Sequence, residues 1–267
     1  MSPKITPEMA DHCRELHIQF IDTVGNAYLR APELLVFVKG QRSETAEFPG
    51  TAPRAGTATA LRVVFALLCR PELLNAPYRE IVRAAGVALG AVGWVFFDLN
   101  ARGFTIGGKR KERHRRLLET KKLFDEWITN YPIKLRPKLN PKRFHATAPD
   151  WWHNVDVTKY GALWGGEVAV DKLTRHLKPA TFTLYIQREE GRDNLTQLIV
   201  ANRLRVDPKG DIEIFDAFWD FPANPNYPDI VPPILAYADL VATLDPRNLE
   251  AAKLLLERHI DHALRQF

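Results

Sequence analysis

Cysteine is scarce in this chain. Cys13 and Cys69 are the only two, and they form no CxxC pair. That excludes a disulfide framework and a cysteine-based zinc site, and it fits a reducing compartment. No apolar run reaches the length a bilayer demands, so no membrane-spanning helix is expected. The opening residues, MSPKITPEMA, lack the basic-then-apolar pattern of a secretory signal, which points to a cytoplasmic location. There is no internal repeat and no low-complexity tract. With 46% hydrophobic and 26% charged residues among 267, the composition is that of an ordinary soluble globular protein. The length allows one large domain or two to three small ones.

The stretch from Thr57 to Leu118 carries the most information. Leu61, Val64, Phe65 and Leu68 fall at i, i+3, i+4 and i+7. Tyr78, Ile81, Val82 and Ala85 repeat that spacing, and Val92, Val95, Phe96 and Leu99 repeat it again. Each set is one apolar stripe on one helix. Pro71 stops the first helix, and Pro77 sits where the first turn of the second needs no N–H. Gly86 and Gly103 end the second and third at positions that favour a left-handed conformation. Only Gly86-Val87-Ala88 separates the second helix from the third, and so short a turn makes the pair cross sharply, as in a helix-turn-helix. Beyond Gly103, Phe104-Thr105-Ile106 reads as a strand and Gly107-Gly108 as a two-glycine turn. Lys109-Arg110-Lys111-Glu112-Arg113-His114-Arg115-Arg116 then reads as a returning basic strand. Helices plus basic hairpin make a winged helix; the alternative is a three-helix core followed by a solvated charge run.

The charge is placed unevenly. Arg102 to Arg143 holds fourteen Lys or Arg against four Asp or Glu. The chain's whole excess of +5 therefore lies in that segment, and the remainder is net acidic. A basic surface concentrated in a hairpin points to nucleic acid. The expected contacts are Lys109, Arg110, Lys111, Arg113, Arg115 and Arg116, with Arg79 from the second helix. The third helix would present Ala88, Leu89, Gly90, Ala91, Gly93, Trp94 and Phe97 to the major groove. None of these can hydrogen-bond a base edge. Phosphate contacts would then supply most of the affinity, and DNA shape or a groove-bound arginine the sequence choice.

The flanks read as α and β pieces. Pro7 to Leu16 is a helix capped by Thr6; Gln19–Asp22, Ala27–Arg30 and Leu34–Lys39 are strands. This piece is too small to be secure alone and should pack on another part of the chain or on a second copy. Residues 41–56 read as a linker. Glu119 to Asn130 is a helix with Leu123, Phe124 and Trp127 inward. Tyr131 to Lys142, with three prolines, reads as an extended connector. Further on, Gly165-Gly166-Glu167 leads into a helix, Ala180 to Ile186 is a strand, and Leu195 to Val206 holds another. Asp211 to Phe218 is a strand with Ile212 and Ile214 on one face, and two helices close the chain, Pro233 to Leu244 and Arg247 to Arg265.

Three catalytic chemistries each demand a residue pattern. Nucleotidyl transfer wants two carboxylates on the strand after a Gly-Gly turn, but Thr181-Phe182-Thr183-Leu184-Tyr185-Ile186-Gln187 has no acid. Glu189 and Glu190 are adjacent and point to opposite faces. A restriction-type nuclease wants an acid two residues before Lys39, where Phe37 stands, and Asp22 to Asn26 is more simply a hairpin turn. His12, Cys13 and His17, and His259 with His262, lack further ligands at metal spacing.

Several motifs occur in a consistent order: Gly25-Asn26-Ala27-Tyr28-Leu29, Leu73-Leu74-Asn75-Ala76-Pro77-Tyr78-Arg79-Glu80-Ile81, Gly86-Val87-Ala88-Leu89-Gly90-Ala91-Val92, Tyr160-Gly161-Ala162-Leu163-Trp164-Gly165-Gly166-Glu167-Val168-Ala169, and Asp239-Leu240 through Asp245-Pro246-Arg247-Asn248. With them the chain, from about Gly25 to its C-terminus, resembles the AbiEi family of winged-helix antitoxins and transcriptional regulators of bacterial type IV toxin–antitoxin systems. The resemblance implies a nucleoid-associated bacterial protein that binds double-stranded operator DNA and represses its own operon. It also implies a C-terminal domain that counteracts a nucleotidyltransferase toxin without forming a stable complex. The piece before Gly40 is extra to the simplest family layout.

The expected fold class is therefore α+β: a small α+β piece over residues 1–40, the linker 41–56, a winged helix-turn-helix domain over 57–118, and a C-terminal α/β domain over 119–267. A degenerate nucleotidyltransferase-like fold is one option for the last. The expected activity is regulatory rather than enzymatic, with no cofactor or metal and with scope for a homo-oligomer. The alternatives are a nucleotidyltransferase-fold enzyme and a protein-interaction module regulating a mobile element.

Overall fold

Thr6 caps the first helix, its Oγ1 accepting the Met9 N–H at 3.2 Å, and Pro7 opens it: α1 (Pro7–Glu15). It is followed by β1 (Phe20–Ile21), β2 (Ala27–Ala31) and β3 (Leu34–Val38), antiparallel in the order β1-β2-β3. The buried Asp22 carboxylate accepts N–H groups from Ile5 (3.0 Å) and Asn26 (2.8 Å) and the Asn26 side-chain amide (2.8 Å). Asp22 is therefore spent on holding the β1–β2 connection, in keeping with the turn reading. The computed structural model describes residues 5–22, 25–40, 56–108, 114–148, 150–187, 191 and 193–265. Most of the linker lies outside these. The chain divides into two compact units, Met1–Ala52 and Pro53–Phe267.

The second unit begins with α2 (Ala58–Cys69), capped by Thr57, whose Oγ1 accepts the Ala60 N–H at 3.2 Å. A short 3-10 turn, Pro71–Asn75, leads to α3 (Tyr78–Ala85) and α4 (Leu89–Ala101). Gly86 stands between them with φ 60°, which only glycine adopts without strain. All of the stripe residues named above are buried except Tyr78 and Val82, which are half-buried. The hairpin pairs β4 (Thr105–Ile106) with β5 (Arg116–Leu117). Its geometry differs from the expected two-glycine turn. Ile106 pairs with Arg116, which is not the register of a two-residue connection, and Asn75 holds the Arg115 backbone through two hydrogen bonds; residues 109–113 lie outside those described.

The helix α5 (Thr120–Asn130) follows, and here the sequence reading needs correction. Tyr131 to Lys138 is a helical continuation, a wide turn over Tyr131–Leu135 and a 3-10 turn over Arg136–Lys138, and not an extended connector. Tyr131, Leu135 and Leu139 recur at helical spacing and are buried. The wide turn absorbs Pro132, which has no N–H to donate. The rest is β6 (Lys142–His145), α6 (Trp151–Asn154), β7 (Ala162–Gly165), α7 (Gly166–Thr174), β8 (Phe182–Ile186), α8 (Asn194–Ala201), β9 (Arg205–Val206), β10 (Ile212–Asp216), α9 (Pro233–Thr243), α10 (Pro246–Leu255) and α11 (Asp261–Leu264). The strand expected within Leu195–Val206 forms at its end, as β9, and residues Asn194–Ala201 before it are helical. Asp193 caps them, its Oδ1 accepting the Thr196 N–H at 3.0 Å, and Leu195, Leu198 and Ile199 face one core.

The five-stranded sheet has the order β7-β8-β10-β6-β9, with β8 and β10 parallel and the other pairs antiparallel. Phe182, Leu184, Ile212 and Ile214 line one face, over Trp151 and α8. Tyr185 and Phe215 line the other and join the core built by α2 to α5, α7, α9 and α10. That core is continuous from the helical segment into the sheet. Phe65 lies at its centre, packed on Trp127 (5.2 Å), Phe218 (4.8 Å), Trp219 (5.6 Å) and Phe221 (6.1 Å). No single helix among the described residues is long and apolar enough to cross a membrane. Because Phe65 is 0% exposed, Phe65→Ala should cost about 3–5 kcal/mol. Urea unfolding measures this, and a loss below about 1 kcal/mol would show that the site collapses freely.

Candidate functional site

The first candidate is the outer surface of α3, α4 and the hairpin. α3 and α4 cross at 101°. Arg79 and Arg83 lie one turn apart on α3, both exposed and without an ion pair among the described residues. At the start of α4, Ala88, Leu89 and Gly90 are exposed, while Ala91, Gly93 and Trp94 are half-buried. Trp94 packs edge-on against Phe97 at 6.2 Å. Arg116 on β5 is exposed. Lys109, Arg110, Lys111 and Arg113 lie outside the described residues.

Arg115 goes elsewhere. Its guanidinium lies 4.4 Å from the Phe96 ring centre and 5.3 Å from that of Tyr78, and it donates to the Tyr78 hydroxyl (3.1 Å) and the Leu74 carbonyl (3.4 Å). The Arg115 N–H donates to Asn75 Oδ1 at 2.7 Å, and its carbonyl accepts from Asn75 Nδ2 at 3.1 Å. This side chain ties the hairpin's base to α3 and α4. Part of the positive charge over Arg102–Arg143 is paired locally. Arg102 bonds Glu126, Lys121 bonds Asp125, and Arg136 and Arg143 both bond Glu213. Lys134, Lys138 and Lys142 remain exposed. Arg83, not among the contacts expected from the sequence, stands in an i, i+4 relation to Arg79.

A second candidate is a polar pocket of about 260 Å³ beside Gly166. A Cβ on Gly165 would sit 2.6 Å from the Tyr185 ring, so only glycine lets the strand turn into α7 here. Asp239 lies fully buried at this turn. Its carboxylate accepts from Tyr185 Oη (2.8 and 3.0 Å), Tyr131 Oη (3.1 Å) and Gly166 N (3.2 Å), with Arg136 Nε 3.6 Å away. Burial pushes the Asp239 carboxyl above its usual range, against the opposing pull of Arg136 and of these donors. Burial and then the Asp239 charge raise both tyrosine hydroxyls well above theirs. Glu167 is likewise occupied, accepting from Ala180 N (2.7 Å), Thr181 (3.1 Å), Arg247 (2.9 Å) and Asn248 (3.1 Å). Thr181 and Thr183 face the pocket where metal-binding carboxylates would be wanted. Among the described residues no group of three His, Cys, Asp or Glu could hold a metal ion.

The comparison with known families supplies the class. A family model described as transcriptional regulator, AbiEi antitoxin, type IV toxin–antitoxin system matches residues 116–261. The chain belongs to this AbiEi family. No curated protein and no solved structure matches it.

Two outcomes follow from the geometry. Arg115→Ala or Asn75→Ala should loosen the hairpin by about 1–2 kcal/mol, seen as faster amide exchange over residues 114–118. Arg116→Ala should stay within about 0.5 kcal/mol of the parent. Asp239 sets a pH dependence. A carboxyl raised on folding gives stability that is complete below its unfolded value of about 4 and is lost as pH rises through the folded value. Asp239→Asn removes that titration, so the variant should gain on the parent as pH rises above about 4. Denaturant titrations at stepped pH check the sign, and a gap moving the other way would refute it.

Proposed function

We propose that the protein represses its own operon by binding operator DNA through a winged helix-turn-helix made of α2, α3, α4 and the β4–β5 hairpin. We further propose that it counteracts a nucleotidyltransferase toxin without holding it in a stable complex. The observation that carries the first part is the 101° crossing of α3 and α4 over Gly86-Val87-Ala88, with α4 feeding through Gly103 straight into a hairpin. That is the geometry in which a second helix enters a major groove while a hairpin reaches the neighbouring backbone. Arg79, Lys109, Arg110, Lys111, Arg113 and Arg116 supply phosphate or groove contacts, with Arg83 alongside. α4 offers Ala88, Leu89, Gly90, Ala91, Gly93 and Trp94, which fit a groove by shape and by contact with thymine methyl groups. Sequence choice therefore comes from DNA deformability and from hairpin arginines.

The second part draws on the family. The C-terminal half acts without bond-making in this reading. Its pocket carboxylates Glu167, Glu213 and Asp239 are committed to the protein's own donors, and Thr181 and Thr183 cannot take the place of metal-binding acids. Transfer of labelled nucleotide to tRNA by the purified chain would overturn it.

Six phosphate contacts give a log–log salt slope of about −5. Fluorescence anisotropy on a duplex from the upstream region measures it, and an affinity indifferent to salt would sink the proposal. Arg79→Ala with Arg116→Ala should weaken binding to any duplex and flatten the slope by about 2. For the toxin, coexpression with a neighbouring nucleotidyltransferase should restore growth, with no complex surviving gel filtration.

A further inference from the structure

The N-terminal unit has very little core. Among its described residues, Ala10 and Tyr28 are the buried hydrophobics, while Met9, Leu16, Ile18, Ile21, Leu34 and Leu35 are exposed. The most exposed of these, Leu35 at 69%, lies on β3 beside Leu34 at 53%. β3 is an edge strand, bonded to β2 on one side. Among the described residues its outer side is bonded to nothing. It reads Leu34-Leu35-Val36-Phe37-Val38, with no charge, proline or glycine. Proteins ordinarily guard such an edge with a lysine, a proline or a bulge, since its free N–H and C=O groups are a template for another strand. This edge has no such guard.

We propose that β3 pairs with the β3 of a second copy, antiparallel and centred on Val36, making one six-stranded sheet across a two-fold axis. The choice of occupant rests on self-complementarity. In that register Leu34 lies opposite Val38 of the other copy, and Leu35 opposite Phe37. The exposed Glu33 then meets Lys39, so an acid faces a base at both ends. Lys39 is bonded to Asp11 within its own copy, at 2.7 Å to one oxygen and 2.8 Å to the other. An ammonium has three donors, and one is left for Glu33. The two apolar pairs repeat across the axis and cover the side chains that are most exposed in the single chain. A closed two-fold contact uses up both edges and stops at the dimer.

The proposal does not depend on DNA binding, and its test is made without DNA. Light scattering of the full chain at micromolar concentration should give twice 30.4 kDa. In a Cys13→Ser background, Val36→Cys should cross-link to itself under mild oxidation, since directly opposed Cβ atoms on antiparallel strands lie within disulfide reach. Leu34→Cys alone should not, but mixed with Val38→Cys it should. Leu35→Lys, at a position open to solvent in the monomer, should weaken self-association about tenfold, because the pair is lost twice. A monomeric mass at all concentrations overturns the proposal. So does a dimer in which Leu35→Lys changes nothing and Val36→Cys fails to cross-link, or a β3 edge that pairs with a foreign strand while the chain itself stays monomeric.

Discussion

Phe65 is the side chain on which the larger unit is assembled. It projects from α2 and is enclosed by Trp127 of α5 and by Phe218, Trp219 and Phe221 from the segment after β10. Those three aromatics leave the sheet and enter the helical bundle, where the Asp220 N–H also donates to the Ala84 carbonyl at 2.9 Å. Trp127 donates to the Leu61 carbonyl at 2.8 Å. The surface offered by α3 and α4 is thus braced from behind by the sheet's own chain. Dense aromatic packing of this kind resists small shifts, so the 101° crossing is held by the tertiary core and not by the short turn alone.

A second buried constraint sits under the sheet. Tyr131, Tyr185 and Asp239 come from the wide turn after α5, from β8 and from α9, and their oxygens lie within hydrogen-bond distance of one another. Buried polar groups are costly unless each is satisfied. Here the carboxylate is shared among two hydroxyls, the Gly166 N–H and the nearby Arg136. The same commitment that rigidifies the junction leaves Asp239 without a free role at the pocket's mouth. Glu167 and Glu213 are committed in the same way, to Arg247 and Asn248 and to Arg136 and Arg143. The Gly165–Gly166 turn is packed as a structural joint against Tyr185, Thr183 and Asp239.

How much was legible varies with the range of the interaction. The α2, α3 and α4 stripes, the left-handed Gly86 and Gly103, the Thr6 cap and the strands β2, β3, β8 and β10 all lie in short windows, where periodicity and backbone preference decide. The turn through Tyr131–Leu135 was misread because three prolines outweighed the spacing of Tyr131, Leu135 and Leu139. Within Leu195–Val206 the expected strand is confined to β9, while α8 before it was not foreseen, since Leu195, Ile199 and Val200 favour a strand when the Asp193 cap is ignored. At the candidate surface, Arg79 and Arg116 are exposed as a charge run implies, while Arg115 is not free.

Read alone, the sequence determined most of the helices and strands, where the positive charge collects, and that the groove-facing positions expected of α4 carry no side chain able to hydrogen-bond a base. These are properties of single residues and their near neighbours. Tertiary structure alone decided where Arg115 went, since its partners Tyr78 and Asn75 lie in a different element. It alone made Phe218, Trp219 and Phe221 part of the helical core, and it alone decided which acids were used up. Those outcomes join residues as far apart as Tyr131 and Asp239, 108 positions along the chain, and no local pattern carries information over that distance.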